Sequence, residues 1–370
     1  MIGLHSLSCV IITRNEEDNI ARVIQSALGA LESAERAGLV VRGEVILADS
    51  ASSDRTVEIA RGFPIKVVQL PPHWPLSASA GRYVGTTHVS SDFILYLDGD
   101  YVVRKEWVSE ALALLVQENV AGVTGTDIER FPGNTILEER LSRWARELGP
   151  SGEVEEVEAI AVGILKRSTV LEVGGFHPFL KGAEDRDLGY RLRMQGYRLL
   201  RTRQPMGEHH WADSGAGFNY ITYYRSVAFW SFGEGQACRV RFDNAPIRRK
   251  IVGRYGTSRH LMNFGVASLL LVLGILNATA VLAPSTFVLP AFVADVAAVY
   301  AVSRFRQSHH LTVREVLFEL AAIPYSVIRF AAFALGFMAG APPPSQYPRG
   351  PTNVSTTEKS AVSAAGITQK

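Results

Sequence analysis

From Leu7 to about Lys166 the apolar residues alternate between two patterns. Ser8-Cys9-Val10-Ile11-Ile12 and Phe93-Ile94-Leu95-Tyr96-Leu97 are short runs with almost no polar break. Such runs read as strands buried on both faces of a parallel sheet. Glu44 to Ala48 and Ile65 to Leu70 are two more. Stretches of helical period lie between them. One passes through Ile20, Val23, Ile24, Ala27, Leu28 and Leu31, with Thr13 or Asn15 placed to cap it. A second, opened by Ser52-Ser53-Asp54, passes through Val57, Ile59 and Ala60, and a third of small residues runs from Ser77 to His88. Strand and helix alternating at this spacing predict an α/β fold, a mostly parallel sheet with helices on both faces.

The pattern changes in the second half. Tyr220, Tyr223, Tyr224, Phe229, Trp230 and Phe232 form an aromatic-rich amphipathic segment. Residues 239–260 carry Arg239, Arg241, Arg248, Arg249, Lys250, Arg254 and Arg259 against Asp243 alone. Leu261 to Ala283 then holds no charge and is long enough to cross a bilayer. After a turn at Ala283-Pro284-Ser285-Thr286, Phe287 to Val302 is apolar except for Asp295, and Arg304 and Arg306 follow. Basic residues on both flanks predict a transmembrane hairpin with both ends in the cytoplasm. A third apolar stretch, Val316 to Gly340, contains Glu319 and Arg329. It either spans or lies in the interface as an amphipathic helix, the latter being preferred. The expected organisation is a catalytic domain over 1–235, a basic juxtamembrane segment over 236–260, the hairpin over 261–303, the third apolar helix over 304–340 and a Pro/Ser/Thr-rich disordered tail over 341–370.

Composition narrows this little. A formal charge of +2 over 370 residues gives no bulk attraction to nucleic acid. Two cysteines far apart, Cys9 and Cys238, exclude a disulfide framework and favour a reducing compartment. The first apolar run is too short for a cleavable signal and soon meets Arg14-Asn15-Glu16-Glu17.

Three predicted strands end in residues able to do chemistry: Thr13 to Glu16, Asp49, and Asp98 with Asp100. In open α/β sheets ligands sit at the carboxyl ends of strands. Asp98-Gly99-Asp100 offers hard oxygen ligands close together, which suits Mg²⁺ or Mn²⁺ held partly by substrate phosphates. Asp49 is placed to accept from a base or ribose. The sequence has no GxGxxG after the first strand and no Walker A motif, so the usual dinucleotide and P-loop solutions are unsupported.

The order Val10-Ile11-Ile12-Thr13-Arg14-Asn15-Glu16-Glu17, then Ala48-Asp49-Ser50-Ala51-Ser52-Ser53-Asp54-Arg55-Thr56, then Leu97-Asp98-Gly99-Asp100 resembles family 2 glycosyltransferases of the GT-A fold. Gly174-Gly175-Phe176, followed by Glu184-Asp185-Arg186-Asp187-Leu188, looks like the acceptor-side signature of that family. The resemblance covers roughly residues 7–210. It implies inverting, metal-dependent transfer of a hexose from a nucleotide-sugar. By it, Thr13, Asn15, Glu16 and Asp49 bind the nucleoside. Asp98 contacts the nucleotide side, Asp100 ligates Mn²⁺ or Mg²⁺, and Asp98 and His209 (or His210) complete the metal set. Asp185 is the general base and Glu184 its aid or an acceptor partner. The chain departs from the pattern at Ala78-Ser79-Ala80-Gly81-Arg82, at Ser50 and at His177.

The expected function is a multi-pass membrane glycosyltransferase, with its catalytic domain on the cytoplasmic face. It would add sugar to a lipid-linked or other glycan acceptor in envelope or exopolysaccharide synthesis. Polyprenyl phosphate is the alternative acceptor. A non-catalytic nucleotide-sugar-binding scaffold is the alternative of a different class.

Overall fold

The computed structural model describes residues 5–130, 154–210, 220–249, 323–349 and 352–356. The chain divides into two compact units, one of residues 1–218 with 342–370 and one of residues 219–341.

The first unit is built on strands β1 (His5–Thr13), β2 (Val40–Asp49), β3 (Lys66–Gln69), β4 (Phe93–Asp98), β5 (Tyr101–Val103), β6 (Val120–Arg130), β7 (Val154–Glu156), β8 (Gly163–Lys166), β9 (Arg198–His210) and β10 (Asn353–Thr356). Its helices are α1 (Ile20–Arg36), α2 (Thr56–Ala60), α3 (Ala78–Thr87), α4 (Lys105–Leu115), α5 (Arg167–Glu172) and α6 (Glu184–Met194). Successive strand residues point to opposite faces, and the core divides accordingly. Leu7, Cys9 and Ile11 of β1, with Phe93, Leu95 and Leu97 of β4, pack with α1 and α4 residues such as Ile24 and Trp107. Val10, Ile12, Ile94 and Tyr96 pack on the other face with Ala80, Val84, Phe176 and Leu188. Unbroken apolar runs were needed because both faces are covered. Each such side chain contributes on the order of 1.5–3 kcal/mol when fully buried.

Among the described residues the sheet order is β10-β3-β2-β1-β4-β8-β6-β9-β5, with β7 paired to β9. The expected parallel arrangement holds for β3-β2-β1-β4. Beyond β4 the sheet is mixed: β8 runs antiparallel to β4 and β6, and β6 runs parallel to β9. The short β5 pairs antiparallel with the end of β9. This hairpin-like edge brings the far end of β9 beside the loop that follows β4.

Two expectations are corrected. Neither Thr13 nor Asn15 caps α1: the helix starts at Ile20, and the Glu16 carbonyl accepts from the Asn19 and Ile20 amides at 3.0 and 2.8 Å. Asn15 instead takes a left-handed turn with φ 58°. The tail from 341 is not wholly without structure. Tyr347 is buried against Trp74, Tyr83 and Phe179, and its hydroxyl donates to the Pro75 carbonyl at 2.9 Å. β10 then pairs antiparallel with β3. A polar segment can do this because an edge strand needs only backbone groups to pair.

In the second unit α7 (Tyr220–Val240) lies along α8 (Ile323–Ala339). A Cβ on Gly235 would meet the Phe333 carbonyl at 2.0 Å, and one on Gly336 the Phe232 carbonyl at 1.9 Å. Backbones therefore touch where the two glycines face across. Arg329, a charge inside the third apolar stretch, approaches the buried Glu234 of α7 at 3.6 Å. Among the described residues no helix is long and apolar enough to cross a membrane. The hairpin expected over 261–303 lies outside the described residues.

Candidate active site

The carboxyl ends of β1, β2 and β4 are neighbours, since Thr13 is in register with Asp49 and Ile12 with Asp98. The sequence candidates from three separated segments therefore meet at one edge. Asp49 is fully buried, and its carboxylate accepts from the Ser52 hydroxyl and, at 3.1 Å, from the Ser52 amide. Burial raises its pKa against those hydrogen bonds. Asn15 Oδ1 accepts from the Ser53 amide at 2.8 Å, and the Asn15 amide donates to Ser52 Oγ at 2.9 Å. The two loops thus clasp each other. Asn15 and Ala51 within them, and Ala183 before α6, are three of the four non-glycine residues with positive φ among those described. Such residues cost about 1–2 kcal/mol each and gather where function constrains the backbone.

Thr13 Oγ1 is buried with no hydrogen-bond partner among the described residues. A Cβ on Gly99 would come within 2.6 Å of it and 3.0 Å of Glu16 Cγ. Glycine is therefore required between the two aspartates for the turn to close against β1. Glu16 is half-buried; burial pushes its pKa up to about 7, against a hydrogen bond from Asn19.

The centre of the site is Arg82, which the sequence reading passed over as part of a departure. It lies on α3, whose first turn is capped by Ser77 accepting from the Ala80 amide at 3.1 Å. Its guanidinium is buried. Nη2 donates to Asp98 Oδ1 at 2.7 Å and to the Ala161 carbonyl at 3.1 Å, while Nη1 donates to Glu184 Oε1 at 2.7 Å. One residue thus ties the end of β4 to the start of α6. The signal was available: a lone arginine among Ala, Ser and Gly must find carboxylates if its helix face is buried. Burial raises the Glu184 carboxyl, against the attraction of Arg82.

Asp185 follows Glu184 in the first turn of α6 and is half-buried. No protein group donates a described hydrogen bond to its carboxylate, so among these acids it is available to an outside group. Asp187, two residues on, is held by Arg191 at 2.7 Å and is committed to the helix.

Asp100 immediately precedes β5, and the register Tyr101 to His209 puts His209 next to it. Asp100 Oδ2 and His209 Nε2 are 3.2 Å apart. His210 points elsewhere, toward Glu208 at 3.5 Å and Arg22 at 3.5 Å. Strand alternation makes that choice between the two histidines. Burial disfavours protonated His209, but its bonds to Asp100 and Glu129 outweigh this and hold its pKa up at about 10. Asp98 is drawn to Arg82. Among the described residues no three His, Cys, Asp or Glu side chains converge on one point.

Residues 8–163 match the family model described as Glycosyl transferase family 2. A pre-mycofactocin glycosyltransferase of Mycobacterium tuberculosis is 28% identical over 129 residues, 33% of this chain and 27% of that protein. A 4,4'-diaponeurosporenoate glycosyltransferase of Staphylococcus haemolyticus is 30% identical over 112 residues, 29% of this chain and 27% of that one. The chain thus matches about a quarter of the length of these curated relatives. A mannosyltransferase from Pyrobaculum calidifontis, solved with GDP-Man and Mn²⁺, shares the fold with a TM-score of 0.55. It is 15% identical, with 91% of this chain and 88% of that one covered.

Proposed function

We propose that this chain is an inverting glycosyltransferase that moves a hexose from a nucleotide-sugar to an acceptor hydroxyl. One observation carries the reading. The Asp98–Arg82–Glu184 bridge fixes the strand ends that would hold the donor against the helix that presents Asp185. The family 2 domain match and the names of the curated relatives support the same class of reaction.

The residues divide the work by their surroundings. Asp49 and Asn15 sit where the nucleoside would lie, and the orphaned Thr13 Oγ1 gives a polar ligand atom a partner. Asp185 stands in the first turn of α6. It takes the acceptor proton during attack. Glu184 is held by Arg82 and so orients the site rather than moving the proton.

The site also fits a divalent cation. Two neighbours in an octahedral shell of about 2.1 Å radius are about 3 Å apart, and Asp100 and His209 present an oxygen and a nitrogen at 3.2 Å. A carboxylate with an imidazole suits Mn²⁺, and also Mg²⁺ with less preference. Two protein ligands leave room for diphosphate oxygens. When bound, the cation would neutralise charge on the departing diphosphate.

The acceptor we propose is a lipid-linked glycan, with polyprenyl phosphate as the alternative, and the catalytic unit lies on the cytoplasmic face of a membrane. The charge-free stretch from Leu261 to Ala283 between arginine-bearing flanks supports this. So do Phe229 and Trp230, exposed on a helix whose last turn holds Arg239 and which Arg241, Arg248 and Arg249 follow.

The test is incubation of the full-length protein with a panel of nucleotide-sugars, Mn²⁺ and lipid-linked acceptors, following nucleoside diphosphate release. Metal-dependent release that acceptor accelerates is the expected result. Binding of a donor with no release under any acceptor would leave only the scaffold reading.

A further inference from the structure

The parallel register of β6 and β9 places Glu129 beside His209. Glu129 Oε2 is 3.1 Å from His209 Nδ1, while the other ring nitrogen faces Asp100. The ring of Tyr101 lies 6.3 Å from that of His209, centroid to centroid, and Tyr101 donates to Asp127 at 2.6 Å. The imidazole is therefore held by one carboxylate at each nitrogen and flanked by a fixed ring.

The two carboxylates differ in kind. Asp100 follows the Gly99 turn and faces the strand ends where a ligand would sit. Glu129 lies on the other side of the imidazole, near the end of the long strand β6. A histidine that ligates a metal with one nitrogen characteristically donates its other N–H to a carboxylate or carbonyl. That bond fixes the tautomer and aims the lone pair.

We propose that Glu129 is a positioning residue of the cation site: it accepts the Nδ1–H of His209 and so presents Nε2 to a metal shared with Asp100. The proposal rests on the Asp100–His209 cation site described above. Glu129 touches neither donor nor acceptor in this role; it acts through the ring.

The experiment is titration of the full-length protein with Mn²⁺ alone, following free Mn²⁺ by electron paramagnetic resonance. The wild type is compared with E129A, E129Q, H209A and D100A. E129A is expected to weaken Mn²⁺ binding about 10–100-fold, the usual effect of losing such a partner. E129Q keeps an oxygen that can accept from Nδ1 and should recover most of the affinity. The visible absorption of bound Co²⁺ should also change in E129A, because the imidazole would reorient. Glu129 is on a partly exposed stretch, so thermal unfolding of E129A should stay near wild type. Wild-type Mn²⁺ affinity and an unchanged Co²⁺ spectrum in E129A, with weakened binding in H209A and D100A, would overturn the role of Glu129 and leave the cation site standing. Unchanged binding in all four variants would remove both.

Discussion

At the scale of single residues, the two adjacent acids Glu184 and Asp185 look interchangeable in sequence and are not interchangeable in space. One is bound to a buried guanidinium and the other is available. Asp185→Asn keeps the shape and loses the proton acceptor. It should lower transfer about 10²–10⁴-fold while donor affinity, measured by calorimetry, stays near wild type. Arg82→Ala leaves two carboxylates without their shared partner. Removing one side of a buried ion pair costs about 3–5 kcal/mol, so denaturant unfolding should shift by that order and transfer should fall with it. Glu16 supplies a pH dependence. Its folded pKa, about 7, lies above the ordinary glutamate value, so the folded state binds the extra proton. The stability it contributes is fully present below the unfolded pKa and is lost as pH rises through about 7. In metal-free protein, melting temperature should fall over that window, and Glu16→Gln should flatten the fall. A slope that Glu16→Gln leaves unchanged would assign it to another group. The candidate acids were legible in the sequence because they end apolar runs. Arg82 gave a signal through the small residues around it, but not its partner Glu184 102 residues on, and Glu129 acquires meaning only from His209 on another strand.

At the scale of elements, the sequence shows clearly what is buried on both sides and poorly what is held by an edge. β1 and β4 announce themselves because every position from Cys9 to Ile12 and from Phe93 to Leu97 must be apolar to fill two cores. β9 mixes Leu199, Leu200 and Met206 with Arg, Gln, Glu and His, and its partner β5 is a strand of three residues. The segment Asn353–Thr356 has no apolar pattern to betray it; it pairs through its backbone at the edge beside β3. Tyr347 is the anchor of that returning strap. Truncating a buried aromatic residue to alanine costs about 3–5 kcal/mol. Tyr347→Ala should therefore destabilise the first unit by that order. Proteolysis should then cut between residues 342 and 356 at protease concentrations that spare the wild type. An equal resistance would mean that the strap is held by β10 alone.

At the scale of the whole molecule, the returning strap changes what truncation means. A cut after Asn244 removes the apolar stretches that follow, and it also removes Tyr347 and β10. Loss of activity in such a fragment would report on the fold as much as on the acceptor. The same feature imposes a parity rule. The chain leaves the first unit at Phe218 and rejoins it at Pro342. Both points belong to one folded body, and a folded body lies on one side of a bilayer. The excursion between them must cross an even number of times, whatever its helices look like one by one. If the stretches on either side of Pro284 make two crossings, the stretch around α8 makes none. Cysteines placed at the exposed positions Asp243 and Ser345 should then be labelled from the same side, and one at Ser285 from the opposite side. Because α7 is not long and apolar enough to cross, labelling of Asp243→Cys and Ser345→Cys from opposite sides would mean an odd count, and the pairing of β10 with β3 could not then exist in the membrane-bound protein.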